Sequence, residues 1–374
     1  MHKLMVGGTV LEHELSELRL LVERQTGVLL DCPNSALAAH IAEYLEAHEL
    51  ESPAALLDRF RACDQDPATV PQFLEGLLNS TSGFFRHPGA MNTLTKQVLP
   101  QIYARKAGEG PAALRIWSAG CGTGEEAYSI AMAICDSLPG SNGASNGSSA
   151  ANGCTGNGNG GKEKGGAVRT GGIAETVVPV APQISKDWSI HIVGTDLLPS
   201  AIEVAERGLY PQSALAGLPP ATIRASFSRI GTANGNGSQN GSQNGSANGS
   251  SNGAASNGPA SNGSSNGSAP IVGSHLLVKP RLRSLVTFNT MNLTRPVYIG
   301  RFDCIFCMDV LPHLSRSQRS ALIERLHLYL EPGGYLFLSQ TEKLYAPNLN
   351  FRSETFDGYT FHRKPLAASA AYGR

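Results

Sequence analysis

Three glycines at alternate positions, Gly120, Gly122 and Gly124, are followed at once by two carboxylates, Glu125 and Glu126. A glycine turn that opens a helix is typical of a nucleotide-derived cofactor, because glycine lets the backbone approach the ligand closely. A dinucleotide site would have its third glycine one residue later, with the pyrophosphate on the helix N-terminus. Glutamates at that end of a helix satisfy the helix dipole themselves and would repel a pyrophosphate.

The acidic turn therefore favours a cationic cofactor over NAD. S-adenosylmethionine (SAM) carries no phosphate, and its sulfonium and ammonium groups are positive, so SAM is the predicted cofactor. Asp196, at the end of the apolar run "SIHIVGTD", is a second signal. It lies near the spacing at which such folds place a carboxylate that accepts hydrogen bonds from ribose hydroxyls. The alternative interpretation is that Asp196 caps the following helix.

Cysteine and histidine residues give no metal signal. Cys304 and Cys307 form a C-x-x-C pattern, but residues three apart on a strand face opposite sides, so joint metal binding is disfavoured. We expect ordinary buried cysteines there and predict no metal. Among the scattered histidines, only His313 is of interest, by its position.

Composition narrows the class of protein. The chain has 374 residues, and Lys+Arg and Asp+Glu are both 30, which argues against a general nucleic-acid binder. Seven cysteines, an odd number, suit a reducing compartment better than a disulfide scaffold. The first residues make a poor signal peptide, and no apolar run approaches the roughly 20 residues that span a bilayer. We therefore expect a cytoplasmic protein without membrane insertion.

Two segments, at about 139–186 and 232–270, consist mainly of Gly, Asn and Ser. Such a composition cannot bury enough apolar surface to offset its conformational entropy. We predict that both are flexible low-complexity insertions in a folded body.

The first 80 residues have the residue pattern of a small helical domain. Leu15, Leu18 and Val22 recur at helical spacing. The segment "NSALAAHIAEYLEAHEL" offers Asn34 or Ser35 as a helix cap, and Pro53 suits a first helical position. The sequence thus predicts an N-terminal helical domain over 1–80.

From residue 81 onward, strands alternate with helices. The predicted strands are "LRIWSAG", "SIHIVGTD", "LVTFNTMNL", "FDCIFCMDVL" and "GGYLFLSQ", and the predicted helices between them include "EEAYSIAMAICDSL", "PSAIEVAERG" and "SRSQRSALIERLHLYL". This alternation predicts an α/β fold with a parallel, doubly wound sheet. Short β-rich segments between Ser226 and Phe288 predict an antiparallel hairpin with the second insertion at its tip.

These residues resemble the CheR-type chemotaxis receptor (protein-glutamate) O-methyltransferases. The resemblance rests on "SGFFRHPGAMNTL", "LRIWSAGCGTGEEAYSIAM", "IVGTDLLPSAIEVAERGLY", "VTFNTMNL", "FDCIFCMDVL" and "LEPGGYLFLSQTEKL". It implies a Rossmann-like SAM-dependent methyltransferase domain over 81–374, with a small antiparallel β-subdomain at about 209–288. The implied reaction is methyl transfer from SAM to glutamate side chains in the cytoplasmic region of a chemoreceptor, by a monomer.

The resemblance also implies roles for individual residues. Arg86 would reach both SAM and the substrate, Glu126 would hold the methionine part, and Asp196 the ribose and adenosine. Asn292 and Leu293 would lie beside the adenine. An asparagine and a threonine of the family fall on Ser80 and Ser82, although Asn79 and Thr81 lie one residue away. The predicted cofactor-binding residues are Ser80, Ser82, Arg86, Gly120, Gly122, Gly124, Glu126, Asp196, Asn292, Leu293 and Asp309, and the predicted catalytic residues are Arg86 and His313.

The chain departs from the family pattern at one stretch. The family has Cys-Arg-Asn-Val followed by a tyrosine, whereas this chain has Met308 and Asp309 at the central positions and His313 in place of the tyrosine. The N-terminal helix that is often basic in the family is acidic here. Three hypotheses stay open: a receptor glutamate methyltransferase, a SAM-binding signalling module without turnover, and a methyltransferase with a different acceptor.

Overall fold

The computed structural model describes residues 10–62, 69–78, 82–107, 112–137, 188–229, 275–295, 297 and 299–366. Its chain divides into two compact units. The larger unit contains the residues up to Gly208 and those from Pro280 onward, and the smaller unit is Leu209–Lys279. Ser80 and both predicted low-complexity insertions lie outside the described residues. No described helix combines the length and apolar character that a membrane crossing requires.

The larger unit begins with four helices. They are α1 (Glu12–Thr26), α2 (Asn34–Ala47), α3 (Pro53–Arg61) and α4 (Thr69–Leu74). Pro53 is the first residue of α3, as predicted, and Ser52 caps that helix by accepting a hydrogen bond from Ala55 N at 3.2 Å. The predicted side-chain cap of α2 is wrong. Pro33 occupies the cap position, and Asn34 instead accepts a hydrogen bond from Arg19.

The four helices share one apolar core with the sheet domain. Phe60 and Phe73 are fully buried at its centre, with ring centroids 5.3 Å apart. Leu198 and Ala201, at the start of a helix that follows the second strand, belong to the same cluster. The helical segment is therefore packed directly on the start of the helix that follows β2.

A seven-stranded sheet forms the centre of the larger unit. Its strands are β1 (Ala113–Ala119), β2 (Ser189–Asp196), β6 (Val286–Thr290), β7 (Phe302–Phe306), β8 (Leu330–Phe337), β9 (Arg352–Phe356) and β10 (Tyr359–Arg363). The strand order is β6-β2-β1-β7-β8-β10-β9. The first five strands in this order are parallel, and β10 and β9 are antiparallel. The predicted parallel, doubly wound sheet is confirmed.

Helices connect and cover these strands. They are α5 (Pro88–Thr93), α6 (Leu99–Lys106), α7 (Glu125–Ser137), α8 (Pro199–Arg207), α10 (Pro280–Arg283) and α11 (Arg316–Tyr329), with a π-helix at Leu94–Val98 and a 3-10 turn at Leu311–His313. Gly208 ends α8 in the left-handed conformation, which glycine adopts most readily. Trp117 of β1 is buried against Phe302 and Tyr329, in the core between the sheet and α11.

The smaller unit contains a three-stranded antiparallel sheet. Its elements are β3 (Leu209–Pro211), a 3-10 turn (Gln212–Leu215), α9 (Pro220–Ser226), β4 (Phe227–Arg229) and β5 (His275–Val278). The strand order is β3-β5-β4. The antiparallel pairing of β4 with β5 agrees with the predicted hairpin, and the chain between them is the second low-complexity stretch. This unit ends at Lys279, and β6 pairs with β2 in the main sheet.

Candidate functional site

The carboxyl ends of the five parallel strands lie along the same side of the sheet. The chain runs from β1 to β2 and β6 on one side, and to β7 and β8 on the other, so a topological switch point lies beside β1. Ligands of doubly wound sheets bind in the crevice at such a point. A cavity opens there. Its wall includes, among the predicted site residues, Ser82, Arg86, Gly120, Gly122, Glu126, Asp196, Asn292, Leu293, Asp309 and His313.

The glycine turn after β1 needs its glycines. Gly120 has φ of +81°, and a Cβ atom there would lie 2.4 Å from Val310 Cγ2. The backbone N–H groups of Gly120 and Cys121 both donate to Thr195 O, at 2.7 and 2.9 Å, which joins the turn to the end of β2. Gly124, with φ of +95°, donates to Cys121 O and precedes α7 without lining the cavity. Gly124 therefore shapes the turn and does not line the cavity.

The two glutamates of the turn have different surroundings. Glu125 is buried and accepts a hydrogen bond from Thr123 Oγ1 at 2.7 Å, outside the cavity wall. Glu126 lines the cavity and accepts a hydrogen bond from Ser118 Oγ at 2.6 Å. Burial, with the nearby carboxylates of Asp309 and Glu342, raises the pKa of Glu126 to about 7, against the opposing effects of Ser118 and Arg86. A cation in the cavity would favour the ionised form of Glu126.

The Asp196 carboxylate joins two loops, the glycine turn after β1 and the segment between β2 and α8. Its Oδ2 accepts from Gly122 N at 2.9 Å, and its Oδ1 accepts from Leu198 N at 3.0 Å. Burial raises the pKa of Asp196, and these backbone hydrogen bonds act in the opposite direction. Each carboxylate oxygen has a second lone pair, so Asp196 retains acceptors for ligand hydroxyls at the cavity. Leu198 holds the cap position of α8 and no side chain caps that helix, so the alternative capping role of Asp196 is wrong. The hydrogen bonds that Asp196 accepts are compatible with a ligand role.

A cluster of charged side chains lies at the end of β7. Asp309 Oδ2 is 3.2 Å from Arg86 Nη2 and 3.0 Å from His87 Nε2. Arg86 and His87 come from the loop before α5, far away in sequence from Asp309. His87 was not predicted as a site residue, although it directly follows the predicted Arg86. The arrangement places cationic and anionic groups together on one wall.

Two residues beside this cluster have left-handed backbone conformations that are unusual for residues other than glycine. Phe85 has φ of +52° and Asp309 has φ of +58°. Phe85 N donates to Ser129 Oγ at 2.9 Å, and this bond ties the Arg86 loop to α7. Strained backbone of this kind persists where surrounding contacts fix it, and it is common at functional sites.

Glu342 supplies those contacts for Asp309, and sequence reasoning gave it no role. Its carboxylate accepts from the backbone N–H groups of Asp309 at 3.2 Å, Leu311 at 2.9 Å and Ser339 at 2.8 Å. Burial raises the pKa of Glu342, and these three hydrogen bonds lower it. Side-chain type alone does not predict such a clamp, because its partners are backbone groups brought together by the parallel pairing of β7 with β8.

The remaining predicted residues lie at the loops after β6 and β7. The Asn292 and Leu293 loop follows β6, and Arg325 holds it by donating to Leu293 O and Thr294 O, both at 2.8 Å. His313 is exposed on the 3-10 turn after β7 and lines the cavity. Cys304 and Cys307 are buried as expected, and burial raises the pKa of both thiols. No cluster of three or more potential metal ligands occurs among the described residues.

Comparison with known proteins gives the following similarities. The family model described as "CheR methyltransferase, SAM binding domain" matches residues 79–146 and 270–359. Chemotaxis protein methyltransferase 1 of Pseudomonas aeruginosa is 25% identical over 329 residues, covering 87% of this chain and 88% of that protein. Chemotaxis protein methyltransferase Cher2 of Pseudomonas putida is 24% identical over 334 residues, covering 88% and 90%. A solved magnesium protoporphyrin IX methyltransferase from Synechocystis with bound SAM is 12% identical, with a TM-score of 0.28 and coverage of 78% and 94%.

Proposed function

The chain belongs to the CheR methyltransferase family, and on this premise we propose that it transfers the methyl group of SAM to glutamate side chains of a chemoreceptor. The product is a γ-methyl ester. One observation carries the cofactor assignment: Glu126, at the N-terminus of α7, faces the same cavity as Asp196 and Asp309. A wall with three carboxylates suits a cationic ligand and disfavours a pyrophosphate.

The residues present fit SAM at each part of the cavity. Glu126 and Asp309 supply negative charge for its ammonium and sulfonium groups, and Asp196 supplies acceptors for ribose hydroxyls. The positive φ of Gly120 lets the backbone come close to the ligand. When bound, SAM supplies a methyl group activated by the positive sulfur.

Arg86 and His87 provide the side of the site that suits an acceptor carboxylate. A guanidinium binds a carboxylate through two parallel hydrogen bonds, which fix the orientation of the nucleophilic oxygen. A glutamate carboxylate is ionised near neutral pH, so the acceptor needs no general base. The rate enhancement then comes mainly from the in-line alignment that Arg86 imposes on the acceptor.

We further propose that the acceptor is the cytoplasmic region of the receptor, and that the chain acts on it in the cytoplasm as a monomer. His313 stands where the family has a tyrosine, and its exposed position at the cavity suits contact with the acceptor. Ser82 at the cavity wall suits contact with the cofactor.

A second candidate function is methyl transfer to an acceptor that is not a carboxylate. Asp309 occupies the guanidinium that an acceptor carboxylate would need, at 3.2 Å. An acceptor with a hydroxyl or amine nucleophile would leave that ion pair intact. The Asp309–Arg86 pair is the observation that favours an acceptor without a carboxylate. The retained SAM-facing residues favour this candidate over a module without turnover.

Incubation of the protein with methyl-labelled SAM and receptor-containing membranes tests the proposal. Base treatment should release labelled methanol, because an ester is hydrolysed by base and a methylated amine is not. Label that stays on the protein after base treatment would support the second candidate. Arg207→Ala is a suitable control variant, because Arg207 forms an exposed pair with Glu203 on α8. Calorimetry with SAM and with NAD separately tests the cofactor.

A further inference from the structure

The end of the first helix forms part of the cavity wall. Helix α1 ends at Thr26, and Thr26 and Val28 both line the cavity. The loop from Met291 to Thr294, after β6, lines it beside them. A helix expected to belong to a separate N-terminal domain thus contributes surface to the cofactor site.

Asn292 connects the two parts of this wall. Its Nδ2 donates to Gln25 O at 3.1 Å, near the end of α1. Its Oδ1 accepts from Thr294 N at 2.9 Å and lies 2.8 Å from Thr294 Oγ1. The amide donor and the amide acceptor are both engaged within the protein.

Additional contacts hold the same helix end. Thr294 Oγ1 lies 3.0 Å from Thr26 O. Leu29 N donates to His313 O at 2.8 Å, and Val28 forms an antiparallel bridge with Leu314. The segment after α1 is therefore tied to the loops that follow both β6 and β7, and these two loops carry predicted site residues.

Gly27 makes this close packing possible. It has φ of +76°, and a Cβ atom at this position would lie 2.3 Å from Thr294 Cγ2. Real Cβ atoms do not approach other atoms so closely, so a larger residue would push α1 away from Thr294. The fit is specific to glycine at this position.

We propose that docking of the end of α1 against the loop after β6, where Asn292 and Gly27 meet Thr294 and Gln25, is thermodynamically coupled to binding of the cofactor. The proposal rests on the proposed function, since it takes the cavity to be the SAM site. If the docked helix end completes the cavity, the cofactor binds the docked form more tightly. By linkage, the bound cofactor must then stabilise docking by the same factor.

Hydrogen exchange on the full chain tests whether the bound cofactor stabilises docking of α1. The amide of Leu29 is the direct reporter, because its hydrogen bond crosses from the segment after α1 to His313. Addition of S-adenosylhomocysteine (SAH), the demethylated product of SAM, should slow exchange at Leu29 by about tenfold. The amides of β9, whose residues do not line the cavity, serve as the internal control.

Variants at Gly27 test whether docking of α1 strengthens binding of the cofactor. Gly27→Ala should weaken SAH binding by about tenfold in calorimetry, because the new methyl group displaces α1. Gly358→Ala is the matched control, since Gly358 has φ of +75° and no atom within 4 Å of an added Cβ. Both variants carry the same backbone strain, so only the collision with Thr294 separates them. The double variant Gly27→Ala with Thr294→Ser removes the methyl group that makes the closest contact and keeps the hydroxyl. It should recover part of the affinity, since Thr294 Cβ and Oγ1 remain 3.0 and 3.2 Å from the added Cβ.

The outcomes separate the possible errors. Equal SAH affinity of Gly27→Ala and Gly358→Ala would overturn the coupling, as would unchanged exchange at Leu29 in a chain that binds SAH. Loss of affinity without recovery in the double variant would also overturn it, because the effect would then not arise from contact with Thr294. Failure of the unchanged chain to bind SAH would reject the proposed cofactor, and the coupling with it.

Discussion

Arg86 Nη2 lies 3.2 Å from Asp309 Oδ2, so the guanidinium proposed to bind the acceptor is already paired with a carboxylate of the chain itself. Both side chains are partly exposed, at 43% and 34%. Water can therefore solvate the two charged groups separately, and an acceptor carboxylate can displace Asp309 from Arg86 at a small cost in free energy. The same exchange also makes Asp309 a competitor of the acceptor.

Asp309→Asn should lower the KM for a carboxylate acceptor by about two- to fivefold, the range expected for a solvent-exposed ion pair. Asparagine retains the shape and tolerates the left-handed φ of +58°, so the backbone need not move. Steady-state kinetics with varied acceptor at saturating SAM gives this value. Asp357→Asn is the matched control, with φ of +50° at the tip of the β9–β10 hairpin. A raised KM would show that Asp309 helps acceptor binding instead of competing with it.

Arg86→Ala should reduce methyl transfer by about 30- to 1000-fold, because it removes a charged hydrogen bond that aligns the acceptor in the transition state. Its effect on the free energy of unfolding should stay within about 1 kcal/mol, since the ion pair is solvent-exposed. Initial rates of ester formation and urea unfolding measure the two effects. The control Arg207→Ala loses an exposed ion pair elsewhere and should keep full activity. Near-normal transfer by folded Arg86→Ala would remove Arg86 from the site.

Glu126→Gln should stabilise the ligand-free protein at pH 8 by about 1–3 kcal/mol while weakening SAM binding. The ordinary pKa of this carboxyl is 4.5, and burial raises it to about 7 in the folded protein. The folded state therefore binds more protons than the unfolded state between these values, and the free energy of unfolding falls as the pH rises through this window. Glutamine carries no charge and removes this dependence.

The same substitution changes the pH profile of cofactor binding. SAM affinity of the unchanged chain should increase as the pH rises through about 7, because the ionised carboxylate attracts the cationic ligand. Calorimetry at pH 6 and pH 8 on both proteins measures this, and the Glu126→Gln profile should be flatter. Glu43→Gln, at an exposed position of α2, controls for a general effect of charge. Identical profiles for Glu126→Gln and the unchanged chain would reject the role of Glu126.

Glu342→Ala should destabilise the protein by about 1–3 kcal/mol, because it leaves three backbone N–H groups without their acceptor. It should also slow methyl transfer, since the left-handed conformation of Asp309 depends on one of those bonds. Urea unfolding and initial rates test both effects. Glu354→Ala is the control, because the Glu354 carboxylate forms a longer, 3.8 Å ion pair with Arg363 on the β9–β10 hairpin. Full activity in Glu342→Ala would mean that the β7 loop is held by other contacts.

Local sequence signals predicted much of the main sheet. The strand predicted at "SIHIVGTD" is β2 with the same bounds, and the helix closed by Gly208 is α8. Alternating buried strands and amphipathic helices are encoded over short stretches, so their type can be inferred without tertiary structure. The β9–β10 hairpin was missed, although its turn, Asp357-Gly358, is a strong hairpin signal in the printed sequence.

The sequence by itself determined the parallel α/β sheet, the acidic glycine turn and the carboxylate at the end of β2, because each depends on residue types within one short segment. Tertiary structure decided how Asp309 meets Arg86 and His87, and how Glu342 holds the loop after β7. It also brought the end of α1 to Asn292, across most of the chain. These contacts join segments far apart in sequence, and several use backbone groups that every residue shares. Side-chain identity and spacing therefore carry no record of them, and only the packed fold fixes which partners meet.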